Sequence, residues 1–394
     1  MALRTILVNA SFAPSLIGFR GPLLRRMVAA GHRVHASAPG LVGQVAQRVA
    51  AMGVTPHDVP LARTGVDPRK DFRYRSVLRD LISRHQVDLV LGYTIKPCVW
   101  GSLAAKDCGV ESVSLVTGLG YAFIPSRRLR QRLVSAISRH LWRRATAANR
   151  VVIFQNPDDR DDFLKAGVLV DPSKARLIDG SGVDMGEYPR QPLPGAARFL
   201  MIARLLGNKG VREYAQAAMD LRRHGIAASF SLIGYHDEGP DGIAAGELDL
   251  WRAGGLEYLG PSDDVRRALG DCSVFVLPSY REGTPRTVLE AMATGRPVIT
   301  SDVPGCRETI VDGESGLLVP AREPKALAGA MNRMAGNPAL RKWMGAAAWQ
   351  RCAAKYEVTK VNSVMMRHLE ITDMVAPSST NEVVDDGDPL FEHR

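Results

Sequence analysis

The feature that most constrains this chain is a strand–helix alternation that runs from the N-terminus, halts at a proline-rich stretch and then starts again. Short β-branched runs at Thr5–Val8, Arg33–Ser37, Thr55–Val59, Leu89–Gly92, Ser112–Val116 and Val151–Phe154 alternate with helical patterns. The clearest helices are Pro22–Ala30, Val99–Lys106 and one that starts at Pro157. Strands spaced this way are joined by right-handed crossovers, which makes the sheet parallel. Pro189, Pro192, Pro194 and Gly195 then interrupt the pattern within Met185–Ala197, as a linker does. A second series follows at Phe199–Ala203, Ser229–Ile233, Leu256–Leu259, Val274–Leu277 and Val298–Ser301. It carries a helix at Val211–Arg223 and three amphipathic helices at Lys325–Met334, Ala339–Ala354 and Lys360–Ile371. The chain of 394 residues is long enough to bury two separate cores. The predicted class is α/β, with two doubly wound parallel-sheet domains facing a cleft. Residues 1–187 form the first and 196–356 the second. Residues 357–373 form a helix that crosses back to the first domain, and 374–394 a disordered acidic tail.

Charge placement narrows the function. Formal net charge is +10, yet Ser112–Pro157 holds eight arginines and no acidic residue. Within it, Leu129, Leu133, Ile137 and Leu141 recur every four residues, with Val134 and Trp142 alongside. Arg128, Arg132, Arg139 and Arg143 fall on the remaining face. A basic amphipathic helix with a tryptophan suits an anionic membrane surface. A core-facing helix with a solvated charged side is the plainer account. Stacking aromatics are not interleaved with the arginines, so nucleic acid is not an expected partner. No run of about 18 apolar residues offers a spanning helix, and Asn9, Ser11 and Pro14 break up the start of the chain too early for a secretion signal. The expected location is therefore cytoplasmic, peripheral on the inner face of the cell membrane. The five scattered cysteines read as free thiols. Nine histidines show neither H-x-H nor H-E-x-x-H spacing, so no protein-built zinc site and no cofactor are expected.

Ligands of doubly wound sheets bind outside the carboxyl ends of the strands. The richest such position is Pro278-Ser-Tyr-Arg-Glu-Gly-Thr-Pro-Arg-Thr-Val-Leu-Glu290. A buried strand ends at Leu277, a polar turn carries Glu282, and a helix begins near Arg286. Glu290 lies one helical turn in, where a carboxylate can accept two hydrogen bonds from a vicinal diol. At an equivalent strand end, Arg204 and Lys209 precede a helix start, and two cations beside free N–H groups suit a diphosphate.

Glu282 and Glu290, with seven residues between them, resemble the E-x7-E signature of the retaining family-4 (group 1) glycosyltransferases. Tyr280-Arg-Glu-Gly-Thr-Pro-Arg286 and Pro304-Gly-Cys-Arg-Glu308 resemble the bacterial branch that adds an N-acetylhexosamine to an undecaprenyl-diphosphate-linked sugar. The resemblance covers nearly the whole chain except the acidic tail. It implies the GT-B fold, with an acceptor-binding and a nucleotide-sugar-binding Rossmann-like domain. It also implies a UDP-sugar donor and a lipid-linked sugar acceptor. Glu282, Gly283 and Thr284 would hold the donor sugar, Glu290 the ribose, and Arg204 and Lys209 the donor phosphates. An epimerase of the same fold, a phosphorylase and a non-catalytic membrane-binding scaffold are the rival readings.

In the first domain, Thr94 and Lys96 follow a strand and could meet a phosphate or an acceptor hydroxyl. A solvated helix-start lysine is the bland alternative. Gly118 follows another strand and would let an acceptor approach the backbone, although a plain turn explains it equally well. Gly18 and Arg20 lie in Ile17-Gly-Phe-Arg-Gly21, read as a flexible loop that closes over phosphates.

Overall fold

Val274–Leu277 (VFVL) is buried at every position, as a parallel strand covered by helices on both faces must be. The computed structural model describes residues 3–62, 67–119 and 129–371. The first sheet contains β1 (Thr5–Asn9), β2 (Arg33–Ala38), β3 (Thr55–Asp58), β4 (Leu89–Tyr93), β5 (Glu111–Val116), β6 (Val151–Phe154) and β7 (Ala175–Leu177). The second contains β8 (Ala197–Ile202), β9 (Ala228–Ile233), β10 (Glu257–Tyr258), β11 (Val274–Leu277), β12 (Val298–Ser301) and β13 (Gly316–Val319). Their orders are β3-β2-β1-β4-β5-β6-β7 and β10-β9-β8-β11-β12-β13, and every pairing is parallel. The α/β expectation of two parallel-sheet domains therefore holds.

The helices of the first half are α1 (Pro14–Gly18), α2 (Gly21–Ala29), α3 (Gly43–Ala50), α4 (Pro68–Arg84), α5 (Ile95–Asp107), α6 (Leu129–Ala148) and α7 (Pro157–Lys165). Those of the second are α8 (Val211–Arg223), α9 (Ala245–Ala253), α10 (Arg266–Asp271), α11 (Arg286–Ala293), α12 (Pro324–Ala335), α13 (Pro338–Arg351) and α14 (Val358–His368). In each sheet the connections reverse direction beside the first strand, between β1 and β4 and between β8 and β11. Loops diverge there, and a crevice opens at the carboxyl ends.

One apolar cluster fills the second domain, built around Phe199, Phe230, Phe275, Leu289 and Met344. The first domain has one cluster on each face of its sheet. After a π-helical turn at Cys352–Tyr356, α14 returns to the first domain. Val361, Met365, Met366, Leu369 and Ile371 share a core with Ile6, Leu24 and Met27. Arg26 Nη1 donates to Thr359 O (2.9 Å) and Ser363 Oγ (2.7 Å), which pins α14 to α2. Burying each of those aliphatic side chains contributes about 1.5–3 kcal/mol, so the returning helix is part of the first domain's core.

Two expectations need correction. Trp142 does not face a membrane. It is buried against Phe163, with ring centroids 5.1 Å apart, because the four-residue stripe of α6 divides between core and surface. Arg20 is not on an open loop. α1 ends at Gly18 and α2 begins at Gly21, and Arg20 between them is 4% exposed with its guanidinium 5.0 Å over the Tyr93 ring. Burial lowers its pKa to about 10. Arg128 lies outside the described residues.

Candidate active site

One glycine brings two of the second domain's strand-end loops together. Gly210 has φ +73°, and a Cβ there would stand 2.1 Å from Pro278 O, so no other residue fits. Tyr280 N donates to Asn208 O (2.9 Å), which ties the two loops side by side. Lys209 is thereby carried to Glu282: Nζ donates to Oε1 at 2.5 Å, and Ser279 Oγ donates to the same oxygen at 2.8 Å. Both ion-pair side chains are largely buried. Arg204, at the end of β8, instead points to Asp237 (3.1 Å) and is 59% exposed. No contact joins it to Lys209 or Glu282 among the described residues.

Glu290 sits on α11 facing inward and is buried. Arg286 Nε donates to its Oε1 at 2.9 Å, one turn apart. Burial raises the Glu290 pKa, with Arg286 and Tyr188 opposing the shift. Arg286 also reaches across the cleft: Nη1 donates to Gly18 O, and its guanidinium lies 5.4 Å over the Phe19 ring. The α1–α2 corner, with Gly18, therefore faces the start of α11.

Gly283 abuts the first domain directly. A Cβ on it would lie 2.4 Å from Thr117 O, and one on Gly118 (φ +138°) would lie 4.0 Å from Gly283 N. The α7 N-terminus completes this contact. Asn156 Oδ1 caps α7 by accepting from Asp159 N (2.8 Å), while its Nδ2 donates to Gly283 O (2.8 Å). Thr284 Oγ1 donates to Gln155 O (3.2 Å). Arg281 Nη2 pairs with buried Asp159 (2.5 Å) and with Asp162 (2.6 Å). Arg281→Ala leaves Asp159 without its ion partner. It is expected to lower stability by about 3 kcal/mol at most, since a third of the Arg281 side chain stays in water. A lowered thermal midpoint, partly restored by adding Asp159→Asn, checks this.

On the first-domain side, Thr94 holds φ +70° and ψ 162° where β4 meets α5. That conformation is costly for a β-branched residue and is characteristic of functional sites. Its Oγ1 donates to Ser11 Oγ (2.8 Å). Lys96 is not a free cation: Nζ is 2.8 Å from Asp71, and both are largely buried.

The structure thus joins Lys209, Glu282, Gly283 and Thr284 with Gly118, and sets Glu290 and Gly18 on either side of Arg286. Lys96, Arg204 and Arg20 each have their own neighbour. Sequence reasoning missed Arg286, Asn156 and the Arg281–Asp159 pair. The α7 string Asn156-Pro-Asp-Asp was a visible N-cap signal, but nothing in it pointed to a partner more than 120 residues away.

Two doubly wound domains, each with polar and charged side chains beside its switch point, place the site where sheets of this class bind their ligands. Comparison with known proteins is consistent with this. A family profile described as "Glycosyltransferase Family 4" matches residues 23–185, and one described as "Glycosyl transferases group 1" matches residues 196–337. This chain belongs to the family-4 (group 1) glycosyltransferases. One relative is the N,N'-diacetylbacillosaminyl-diphospho-undecaprenol alpha-1,3-N-acetylgalactosaminyltransferase of Campylobacter jejuni. It is 26% identical over 384 residues, covering 92% of this chain and 96% of the relative. Another is the UDP-Gal:alpha-D-GlcNAc-diphosphoundecaprenol alpha-1,3-galactosyltransferase of Escherichia coli. It is 26% identical over 299 residues, covering 72% of this chain and 75% of the relative. The sucrose-phosphate synthase of Thermosynechococcus elongatus superposes with a TM-score of 0.78 at 18% identity, covering 93% of this chain and 98% of that one. Anabaena Alr3699/HepE in complex with UDP gives 0.72 at 17%, covering 93% and 99%. The fold is GT-B.

Proposed function

We propose that the protein is a retaining hexosyltransferase. It moves an N-acetylhexosamine from a UDP-sugar to a saccharide carried on a polyprenyl diphosphate, in cell-surface glycan assembly. The observation that carries this is the Lys209–Glu282 pair at the β8/β11 switch point, with Glu290 buried in the adjoining wall. As the sugar–phosphate bond breaks, negative charge builds on the diphosphate. Lys209 neutralises it at close range in a largely desolvated position, and Arg204 acts from the rim. Glu282 holds a sugar hydroxyl and fixes the anomeric carbon toward the first domain, where Gly118 and Thr94 line the acceptor side. Lys96 and Asp71 together form a polar patch for an acceptor hydroxyl. Glu290 receives the ribose diol. Retention is supported by the second relative, named for making an α-linkage from UDP-Gal, because UDP-hexoses carry their sugar in α linkage. The epimerase, phosphorylase and non-catalytic readings have no support in the family profiles or in these relatives, which are glycosyltransferases. The test is release of UDP from a UDP-N-acetylhexosamine. It should require a polyprenyl-diphosphate-linked saccharide, and release at the same rate without any acceptor overturns the reading.

The protein works docked on the inner face of the cell membrane. No described helix is long and apolar enough to cross one, so the attachment is superficial. On α6, Arg132, Arg139 and Arg143 are exposed and fall within about 40° of one another around the helix. Beside them Leu133 (63% exposed), Val134 and Ile137 face solvent. Exposed apolar side chains next to exposed arginines suit an interface of acyl chains and anionic headgroups. Each arginine near the surface contributes about 1 kcal/mol. Replacing the three with Gln should therefore weaken binding to anionic vesicles by about 10²-fold, and added salt should mimic the change. Unchanged co-sedimentation returns α6 to a solvated helix face and leaves the transferase assignment standing.

A further inference from the structure

We infer that His35, His57 and His85 form a binding site for a late first-row divalent cation of the Zn²⁺ type, at the open edge of the first sheet. Sequence spacing hides the site, because its members come from three elements. His35 is on β2, His57 on the edge strand β3, and His85 caps the C-terminus of α4. One ligating atom of each lies within 4.8 Å of the others. Nδ1 of His35 is 2.9 Å from Nε2 of His57, and the His85 ring centroid is 4.6 and 4.8 Å from theirs. A tetrahedral ion with bonds of about 2.0–2.1 Å holds its nitrogens about 3.3 Å apart, so closing the triangle takes side-chain shifts of about an ångström.

Hydrogen bonding does not account for the cluster. Among the described residues its single bond joins His35 to His57, and in either tautomer Nε2 of His35 is buried without a partner there. Native interiors seldom carry such a defect without a reason. Among the described residues nothing bonds the ring nitrogens of His85. Burial first, and the neighbouring imidazoles and arginines second, hold His35 and His57 down at about 4, so both offer lone pairs at neutral pH. An all-imidazole donor set suits Zn²⁺, Ni²⁺ or Cu²⁺ and not Mg²⁺ or Ca²⁺. Arg33 and Arg84 lie near enough to act on these imidazoles, and their charge opposes a dication.

The ion serves as a clamp. Among the described residues β3 pairs with β2 alone and contains Pro56, an edge-strand residue, so its outer side has no strand to hold it. His85 stands on the amino-end side of the sheet, away from the cleft, so the site is separate from glycosyl transfer. The test uses the full chain, stripped with a chelator and titrated with ZnCl₂ by calorimetry and by competition with a chromophoric chelator. One saturable Zn²⁺ per chain is expected, with a raised thermal midpoint that MgCl₂ does not produce. His57→Gln and His85→Gln each replace a partly exposed residue, and unchanged circular dichroism verifies their folding. Each should weaken Zn²⁺ binding about tenfold or more, since even outer-sphere changes cost that much, and should remove the thermal shift. His224→Gln in the second domain should change neither. Absence of saturable binding in the wild type, or binding and thermal shift unchanged in His57→Gln, overturns the site.

Discussion

Lys209→Met is expected to lower kcat at saturating donor by about 10²–10³-fold, the scale of one lost preorganised contact to a developing charge. The structure gives reason to expect the upper part of that range. Lys209 is bonded to Glu282 at 2.5 Å, so its loss removes a cation from the leaving group and also leaves a carboxylate unneutralised beside an anionic donor. Methionine keeps most of the apolar stem, so packing changes little. Arg204→Ala should cost less, because a guanidinium 59% exposed and already held by Asp237 works through water and salt. Single-turnover rates separate the two effects from binding. If both variants keep near-normal kcat, neither residue stabilises the departing diphosphate.

Glu290→Ala is expected to raise the donor Kd by about 10- to 100-fold, since a charge-assisted hydrogen bond contributes about 1.5–3 kcal/mol. The effect should appear in binding and in KM more than in kcat, as ribose contacts change little during the reaction. It should also carry a pH signature. Burial raises the Glu290 pKa above the ordinary carboxylate value. As pH falls through that raised value the group takes up a proton and loses acceptor capacity, so donor affinity should fall on mild acidification. Glu290→Gln has no such proton to bind, and its donor affinity should be flat over the same range. Calorimetry across pH measures both, and an acid limb that persists in the Gln variant would assign the titration to another group.

The sheets were legible because buried parallel strands are short apolar runs, and those at Thr5, Leu89, Val151, Val274 and Val298 stand out from polar surroundings. The same logic lost α4. Eight of its seventeen residues are charged, and its apolar core contacts, Tyr74, Leu78, Leu81 and Ile82, form only a thin stripe. Edge strand β7 is three residues, ARL, and lacked a distinctive pattern. At the site, Lys209, Glu282 and Glu290 could be found because each lies in a strand-to-helix turn or the helix that follows it. The interdomain contacts could not, because Asn156–Gly283 and Arg286–Gly18 join segments far apart in sequence. Trp142 misled for a physical reason: a stripe at four-residue spacing drifts around a helix of 3.6 residues per turn, so it divides between core and solvent.

The most direct measurement of the central claim is the product itself. The chain would be incubated with UDP-sugars and a polyprenyl-diphosphate-linked saccharide, and the lipid-linked product analysed by mass spectrometry and by NMR of its new anomeric proton. The account predicts a mass gain of one N-acetylhexosamine residue, an α-linkage carried over from the donor, and loss of both in Glu282→Ala. A lipid acceptor left unextended by every UDP-sugar, or extended with inverted configuration, contradicts it.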